Sequence, residues 1–220
     1  MKFKDIRAEV CEANKELDKN NLLFMDKGGA SAIDRPQGVV VVKPAEIPHA
    51  CLTPDDMLVL DFSGNVVAGS LTVSPDTLTH LALYQSYPQL GGIVTTYGRY
   101  ATLFAQAERP IPCLGVLHAG CFKGEIPVTR ALRKPEVERN YGKSIGGVIV
   151  ERLARLDPMD MPGILVARHG AMSWGKTVRA AAWNSLALEQ IARLAFGTLQ
   201  LVPQMAPLSG MLLDRHLGGQ

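Results

Sequence analysis

Two strand–turn–strand segments in the first third of the chain place the strongest limit on its fold. The first covers residues 32–44 (AIDRPQGVVVVKP), where Pro36 and Gly38 mark the reversal. The second covers residues 57–67 (MLVLDFSGNVV), where a Ser-Gly-Asn turn supplies residues that tolerate positive φ. Strands joined by such short turns pair antiparallel. The sheet must therefore contain antiparallel hairpins and is not a purely parallel one.

Helical patterns alternate with further strands along the rest of the chain. Helices are predicted over residues 3–20, 76–87, 99–107, 134–156 and 178–198, and strands over residues 91–96, 113–118 and 164–167. Residues 170–175 are predicted to be a tight connection. A chain of 220 residues with 47% hydrophobic residues suits one domain, predicted over 1–220. Together these patterns predict an α/β fold, a three-layer α/β/α sandwich around a mixed, largely antiparallel sheet.

Composition argues against several classes of partner. A net charge of +2 with 20% charged residues gives no basic stripe for nucleic acid. No apolar run reaches the roughly 18 residues that span a bilayer, and the first residues lack the apolar core of a signal peptide. We therefore expect a cytoplasmic protein with no nucleic-acid or membrane partner. The four cysteines form no CxxC pair, which favours free thiols.

A sixteen-residue segment at residues 91–106 (GGIVTTYGRYATLFAQ) carries the most specific pattern. It resembles the strand-to-helix junction of the class II aldolase/adducin family, and within it the L-ribulose-5-phosphate 4-epimerases. The likeness extends over nearly the whole chain. Further matching segments lie at residues 10–14, 31–35, 42–44, 76–80, 83–84, 118–119, 126–130, 161–163, 169–170, 174–176 and 212–216. The resemblance implies the same α/β/α sandwich, a small-molecule substrate, and a fourfold-symmetric homotetramer with active sites between subunits.

The family's catalytic zinc site is altered in this sequence. The two histidines that flank the central Thr in the family are Thr95 and Tyr97 here, whereas His169 matches the third histidine and Asp76 keeps an associated acidic position. A catalytic zinc needs about three N, S or carboxylate ligands. One imidazole with an optional carboxylate is too few for tight binding, so the sequence predicts no metal and no cofactor.

The positions that bind phosphate in the family are altered as well. The family's Gly-Asn is Gly28-Gly29 here, Glu46 replaces a glycine shortly after Lys43, and Pro75 replaces the second serine after Ser74. Phosphate is bound by converging N–H and O–H donors and positive charge. An amide side chain, a hydroxyl and a backbone donor are lost, and a carboxylate is added. The predicted substrate therefore has no terminal phosphate.

Nine residues are candidates for the site on this basis. The predicted catalytic residues are His169, Tyr97, Asp76 and Glu46, and the predicted substrate-binding residues are Lys43, Gly29, Ser74, Thr95 and Cys121. Each catalytic candidate has a structural alternative. His169 can be a relic held by hydrogen bonds, Tyr97 can fill the space of a lost metal, Asp76 can act only at a helix N-terminus, and Glu46 can be a solvated loop charge. Cys121 can be an inert thiol.

Two departures concern the family's acid/base residues. The family's acid/base aspartate after His-Ala is Gly120 here, and its C-terminal catalytic tyrosine has no counterpart before Gln220. These losses leave three functional interpretations open. The first is a metal-independent lyase or isomerase, with a biosynthetic role, that performs retro-aldol, dehydration or epimerisation chemistry on a small unphosphorylated carbonyl or hydroxy compound. The second is a non-catalytic ligand-binding or assembly protein. The third, weaker one is a zinc-dependent sugar-phosphate epimerase or aldolase.

Overall fold

The structure, a computed structural model, describes residues 3–210. The sequence match at residues 212–216 and the position of the family's C-terminal tyrosine lie outside this range. The described helices and strands follow each other in the order α1 (Lys4–Lys19), β1 (Gly29–Asp34), β2 (Val39–Val42), β3 (Leu58–Asp61), β4 (Val66–Ala68), α2 (Thr77–Ser86), β5 (Gly92–Thr96), α3 (Arg99–Gln106), α4 (Val116–Ala119), α5 (Lys134–Arg139), α6 (Tyr141–Leu153), β6 (Gly163–Val166), β7 (Gly170–Gly175) and α7 (Val178–Leu201). Two short 3₁₀ turns separate β2 from β3.

The seven strands form one sheet in the order β4-β3-β2-β1-β5-β7-β6. Every pair of neighbouring strands is antiparallel, and an isolated bridge between Val128 and Leu165 supplies a parallel pairing. Both predicted hairpins are present, as β1–β2 and β3–β4. Strand β5 lies between β1 and β7, so it occupies the centre of the sheet, where the site described below is built.

Helices cover both faces of the sheet. Successive strand residues point to opposite faces, and the core divides accordingly: Val41 and Val94 pack with α1 and α7, whereas Val40 and Ile93 pack with α2 and α6. The side chains of these four residues are almost completely buried. Burying one such aliphatic side chain contributes about 1.5–3 kcal/mol. The predicted α/β/α sandwich is confirmed, while a single domain over 1–220 stays a prediction.

One predicted strand is wrong. Residues 113–118 do not form a strand; Val116–Ala119 is the short helix α4. The side chain of His118 explains why this segment is not extended. Its Nε2 lies 2.7 Å from the carbonyl oxygen of Gly124, and this hydrogen bond holds residues 118–124 in a turn. A six-residue apolar run cannot be assigned to strand or helix from periodicity alone.

Two further elements differ from the prediction. The predicted helix over residues 134–156 is divided into α5 and α6 at Asn140, whose φ of −159° is extended and whose side-chain oxygen accepts a hydrogen bond from the Lys143 amide. Asn140 therefore caps a new helix. Residues 170–175, predicted as a connection, form β7, because pairing with β5 and β6 satisfies their backbone groups on both sides.

Among residues 3–210, the structure contains no helix with the length and apolar character that a membrane crossing requires.

Candidate functional site

Two neighbouring strands bring Tyr97 and His169 together. Thr96, the last residue of β5, is paired with Ala171 of β7, so the residues just beyond this pair lie side by side. The Tyr97 hydroxyl is 3.0 Å from Nε2 of His169, and their ring centroids are 5.3 Å apart. Gly170 makes this approach possible, because a Cβ there would lie 2.9 Å from the Tyr97 ring.

A second tyrosine completes the group on the other side of the imidazole. The hydroxyl of Tyr141, the first residue of α6, is 3.1 Å from Nδ1 of His169. A neutral imidazole has one N–H donor and one acceptor nitrogen. One phenol therefore accepts a hydrogen bond from His169 and the other donates to it. Sequence reasoning missed Tyr141, since only the packing of α6 against the sheet brings it to the turn before β7.

Asp76 acts electrostatically on the two tyrosines of this group. It directly precedes α2, and burial raises the pKa of its carboxyl from 3.8 to about 6, with the Lys27 ammonium opposing part of the increase. Burial, and to a lesser extent the Asp76 carboxylate, raise the pKa of the Tyr97 and Tyr141 hydroxyls. Burial also lowers the pKa of His169. Near neutral pH the group thus holds a neutral imidazole, two protonated phenols and a mostly ionised carboxylate whose pKa of about 6 lies near the operating pH.

Thr95 lies in β5, two residues before Tyr97, and contacts a separate buried network. Its hydroxyl is 2.9 Å from Nε2 of His80, whose Nδ1 is 2.8 Å from the hydroxyl of Ser31. The Ser31 hydroxyl is in turn 2.9 Å from that of Tyr84. Burial lowers the pKa of His80 to about 3, so this imidazole stays neutral. The network links the floor of the site to β1.

Four of the predicted residues line a small cavity beside this network. Gly29, Lys43, Ser74 and Asp76 contribute to its wall, and its volume is about 20 Å³, room for about one water molecule. Gly29 is paired with Thr95 across β1 and β5. At Gly29 a Cβ would lie 2.8 Å from Oδ1 of Asn14. An asparagine at this position, as in the family pattern, would therefore displace Asn14.

Two predicted site residues lie apart from this group. The carboxylate of Glu46 is exposed and accepts a hydrogen bond of 2.8 Å from the backbone N–H of Thr72. A hydrogen bond from the Thr72 side chain, and to a lesser extent this backbone hydrogen bond and the charge of Lys43, lower the pKa of Glu46. Cys121 follows α4 and is exposed, and burial of part of its side chain raises the pKa of its thiol. The catalytic role of Glu46 and the binding role of Cys121 stay predictions.

Two features define the class of protein. One is the seven-stranded antiparallel sheet between two helical layers, and the other is the group of polar residues where β5 and β7 meet α2 and α6. The chain belongs to the class II aldolase family: the family model "Class II Aldolase and Adducin N-terminal domain" matches residues 8–196. It is 42% identical to the L-ribulose-5-phosphate 4-epimerase UlaF of Salmonella paratyphi B over 96% of this chain and 92% of the relative.

Solved structures show the same fold at lower identity. An L-fuculose 1-phosphate aldolase superposes with a TM-score of 0.82 and 20% identity, over 99% of this chain and 97% of the other. YgbL of Escherichia coli, a putative aldolase/epimerase/decarboxylase, superposes with a TM-score of 0.78 and 20% identity, over 97% and 98% of the two chains. The family is enzymatic and acts on small molecules.

Family membership corrects the prediction about cofactors. The prediction that the protein has no cofactor is wrong, because the aldolases and epimerases to which this chain is related are zinc-dependent. The replaced ligand positions misled the inference: a changed ligand set does not establish that a metal is absent.

The residues at the site do not match a three-histidine zinc centre. Within residues 3–210, no three His, Cys, Asp or Glu side chains are grouped so that they could hold a metal ion. Each nitrogen of His169 faces a phenol, and Thr95 contacts His80. The donor set therefore does not fit that centre, and the chemistry below concerns the side chains of this chain alone.

Proposed function

We propose that the protein is an epimerase-type member of the class II aldolase family that acts on a small polyhydroxy carbonyl compound without a terminal phosphate. One observation carries the proposal: His169 is hydrogen-bonded at both nitrogens to tyrosine hydroxyls, and both tyrosines are within reach of the charge of Asp76, whose carboxyl has a pKa of about 6. General acid/base groups work best when their pKa lies near the operating pH. The relatedness to an L-ribulose-5-phosphate 4-epimerase favours epimerisation over other reactions.

The proposed chemistry uses these groups in a proton-balanced cycle. The Asp76 carboxylate takes the proton of the hydroxyl on the β-carbon, two carbons from the carbonyl carbon, and the bond between the α-carbon and this β-carbon breaks. The electron pair of that bond forms an enolate with the carbonyl group, and the β-carbon becomes an aldehyde. The enolate then adds to the other face of the aldehyde, which restores the bond with the opposite configuration at the β-carbon, and Asp76 returns the proton to the β-oxygen. Tyr97, Tyr141 and Lys43 are the donors proposed to stabilise the enolate oxygen.

The absence of a terminal phosphate is supported by the surroundings of Lys43. The exposed carboxylate of Glu46 lies near enough to Lys43 for each to shift the pKa of the other. The cavity wall has Gly29 in place of an amide side chain, and Pro75 has no N–H to donate. A phosphate dianion would lack donors here and would meet an added negative charge.

The test is turnover of two sugars by the purified protein. L-ribulose and L-ribulose 5-phosphate are incubated separately, with and without added zinc and with a chelator, and formation of the C4 epimer is followed. We expect epimerisation of L-ribulose in preference to its phosphate. Tyr97→Phe should lower kcat by about 100-fold, within the range for loss of one donor to a developing oxyanion. The matched control Tyr100→Phe, on α3, should retain activity. No epimer from either sugar would refute the proposal, and cleavage without recombination would indicate a lyase.

A second candidate, a non-catalytic ligand-binding or assembly protein, is favoured by one observation. The two phenols flank His169 from both sides, and the cavity beside Asp76 is only about 20 Å³ in a single chain. A filled site is what a non-catalytic member would retain. Substrate binding without turnover in the same assay would support this candidate.

Assembly and location stay predictions. The proposed homotetramer has its active sites between subunits. In such an assembly Cys121, which lies apart from His169 and the two tyrosines of its own chain, would act at the site of a neighbouring subunit. Sedimentation analysis of the purified protein tests the tetramer. The cytoplasmic location and the biosynthetic role rest on the sequence interpretation alone.

A further inference from the structure

The segment that carries Tyr97 is short and is held on both sides. Tyr97 and Gly98 are the two residues that connect the end of β5 to the start of α3. On the strand side, the backbone N–H of Tyr97 donates a hydrogen bond of 2.8 Å to the carbonyl oxygen of Leu22. Because the connection is only two residues long, a movement of the first turn of α3 would also move Tyr97 and lengthen its hydrogen bond with His169.

A carboxylate from α7 holds the first turn of α3. Oε1 of Glu189 accepts a hydrogen bond of 2.8 Å from the backbone N–H of Tyr100, and Oε2 accepts one of 3.0 Å from that of Ala101. The first N–H groups of a helix have no partner inside the helix. Gly98, which precedes α3, has no side chain that could supply one. Glu189 therefore does from a distant helix what an N-cap side chain usually does.

The contact between Glu189 and α3 is close and suits a carboxylate. A Cβ on Gly98 would lie 2.7 Å from Cδ of Glu189 and closer still to Oε2, so glycine leaves the room that the carboxylate fills. A glutamine would offer one acceptor and would turn an NH₂ group towards the second N–H. Burial raises the pKa of the Glu189 carboxyl, and the hydrogen bonds from Tyr100 and Ala101 and the charge of Arg99 oppose part of the increase. These contacts keep a carboxylate where burial disfavours its charge.

We propose that Glu189 is a positioning residue, which sets the Tyr97 hydroxyl against His169 by holding the start of α3. The inference rests on the proposed function, in which Tyr97 donates to the enolate oxygen. Such a donor stabilises the developing charge only from the right place, and a misplacement of about 1 Å can cost about 100-fold in rate. Glu189 exchanges no proton in this scheme and acts only through Tyr97.

A double-mutant cycle separates positioning from general support of the fold. Epimerisation of L-ribulose is measured for the wild type, Glu189→Ala, Tyr97→Phe and the double variant. Glu189→Ala should lower kcat about tenfold and change KM little, because Tyr97 is present but misplaced for the transition state. In the Tyr97→Phe background the same change should lower kcat by less than about twofold, because no hydroxyl is left to position. Equal losses in both backgrounds would overturn the inference.

A spectroscopic readout does not depend on turnover. The protein is labelled with ¹⁵N-histidine, and the Nε2 resonance of His169 is recorded by NMR. The shift in Tyr97→Phe defines the loss of the hydrogen bond between Tyr97 and His169. Glu189→Ala should move the resonance in the same direction. Glu189→Gln keeps one acceptor and the size of the side chain, so it should move the resonance less, and it keeps the test valid if Glu189→Ala fails to fold.

The matched control removes a helix cap away from the site. The Thr177 hydroxyl accepts a hydrogen bond of 3.1 Å from the Ala180 N–H at the start of α7, beyond the end of β7 opposite to Gly170. Thr177→Ala should leave both kcat and the His169 resonance unchanged. An unmoved resonance in both Glu189 variants, or the same shift in Thr177→Ala, would overturn the inference. A shifted resonance in a protein that does not turn over L-ribulose would support the positioning role and refute only the proposed function.

Discussion

Replacing Asp76 by asparagine should make the protein more stable at neutral pH. Burial raises the pKa of the Asp76 carboxyl from 3.8 to about 6 in the folded state. Between these values the folded protein binds more protons than the unfolded chain, so the free energy of unfolding falls as the pH rises. The stabilising contribution of the protonated Asp76 carboxyl is fully present below pH 3.8 and is lost as the pH rises through about 6. A difference of about two in pKa corresponds to ~3 kcal/mol at 1.36 kcal/mol per unit.

The measurement is urea unfolding of wild type and Asp76→Asn across the pH range. The variant has no carboxyl to ionise, so the difference in unfolding free energy should grow in its favour by ~2–3 kcal/mol from about pH 4 to about pH 7.5. Asp61→Asn is a control of opposite sign, because hydrogen bonds from Asn65, whose side chain makes the largest contribution, lower the pKa of Asp61. That variant should be less stable than the wild type above about pH 4, and the difference should shrink as the pH falls below 3.8. A difference between wild type and Asp76→Asn that does not depend on pH would refute the reasoning.

The same variant connects stability with function. If Asp76 is the proposed base, Asp76→Asn should abolish epimerisation while the fold becomes more stable at neutral pH. A catalytic carboxyl retained against its own cost to stability is the expected pattern for an active site. A variant that is more stable and fully active would show that Asp76 has no part in the chemistry.

Two further predictions concern the scaffold. Gly92→Ala should prevent stable folding, because a Cβ would lie 2.3 Å from the Cα of Val178. Gly147→Ala should instead raise the free energy of unfolding by about 0.5–1 kcal/mol, because its Cβ would meet no neighbouring atom within 4 Å. Circular dichroism with thermal melting checks both variants, and equal effects would contradict the packing argument. Trp174→Phe should lower the free energy of unfolding by about 2–4 kcal/mol, because it removes buried volume and leaves the carbonyl oxygen of Pro158 without the 2.6 Å hydrogen bond from the indole N–H. A loss below 1 kcal/mol in urea unfolding would show that the core around residue 174 repacks.

Local patterns accounted for most of the elements. The helical spacing of apolar residues in α1 and the turn residues of the β1–β2 and β3–β4 hairpins act over a few neighbouring positions, so they can be read directly from the chain. The strand predicted at residues 113–118 was wrong because a short apolar run has no period of its own, and the hydrogen bond from His118 to Gly124 decided its form. The break at Asn140 likewise depends on its capping geometry.

The candidate site divides in the same way. Sequence resemblance alone placed His169, Tyr97 and Asp76 in one pocket, and the structure brings these three together. Tyr141 gave no local signal, because a lone tyrosine is compatible with many surroundings. Only tertiary packing sets the Tyr141 hydroxyl against His169. Hydrogen bonding and desolvation depend on distances between residues far apart in the chain, and those distances exist only once the helices have packed on the sheet.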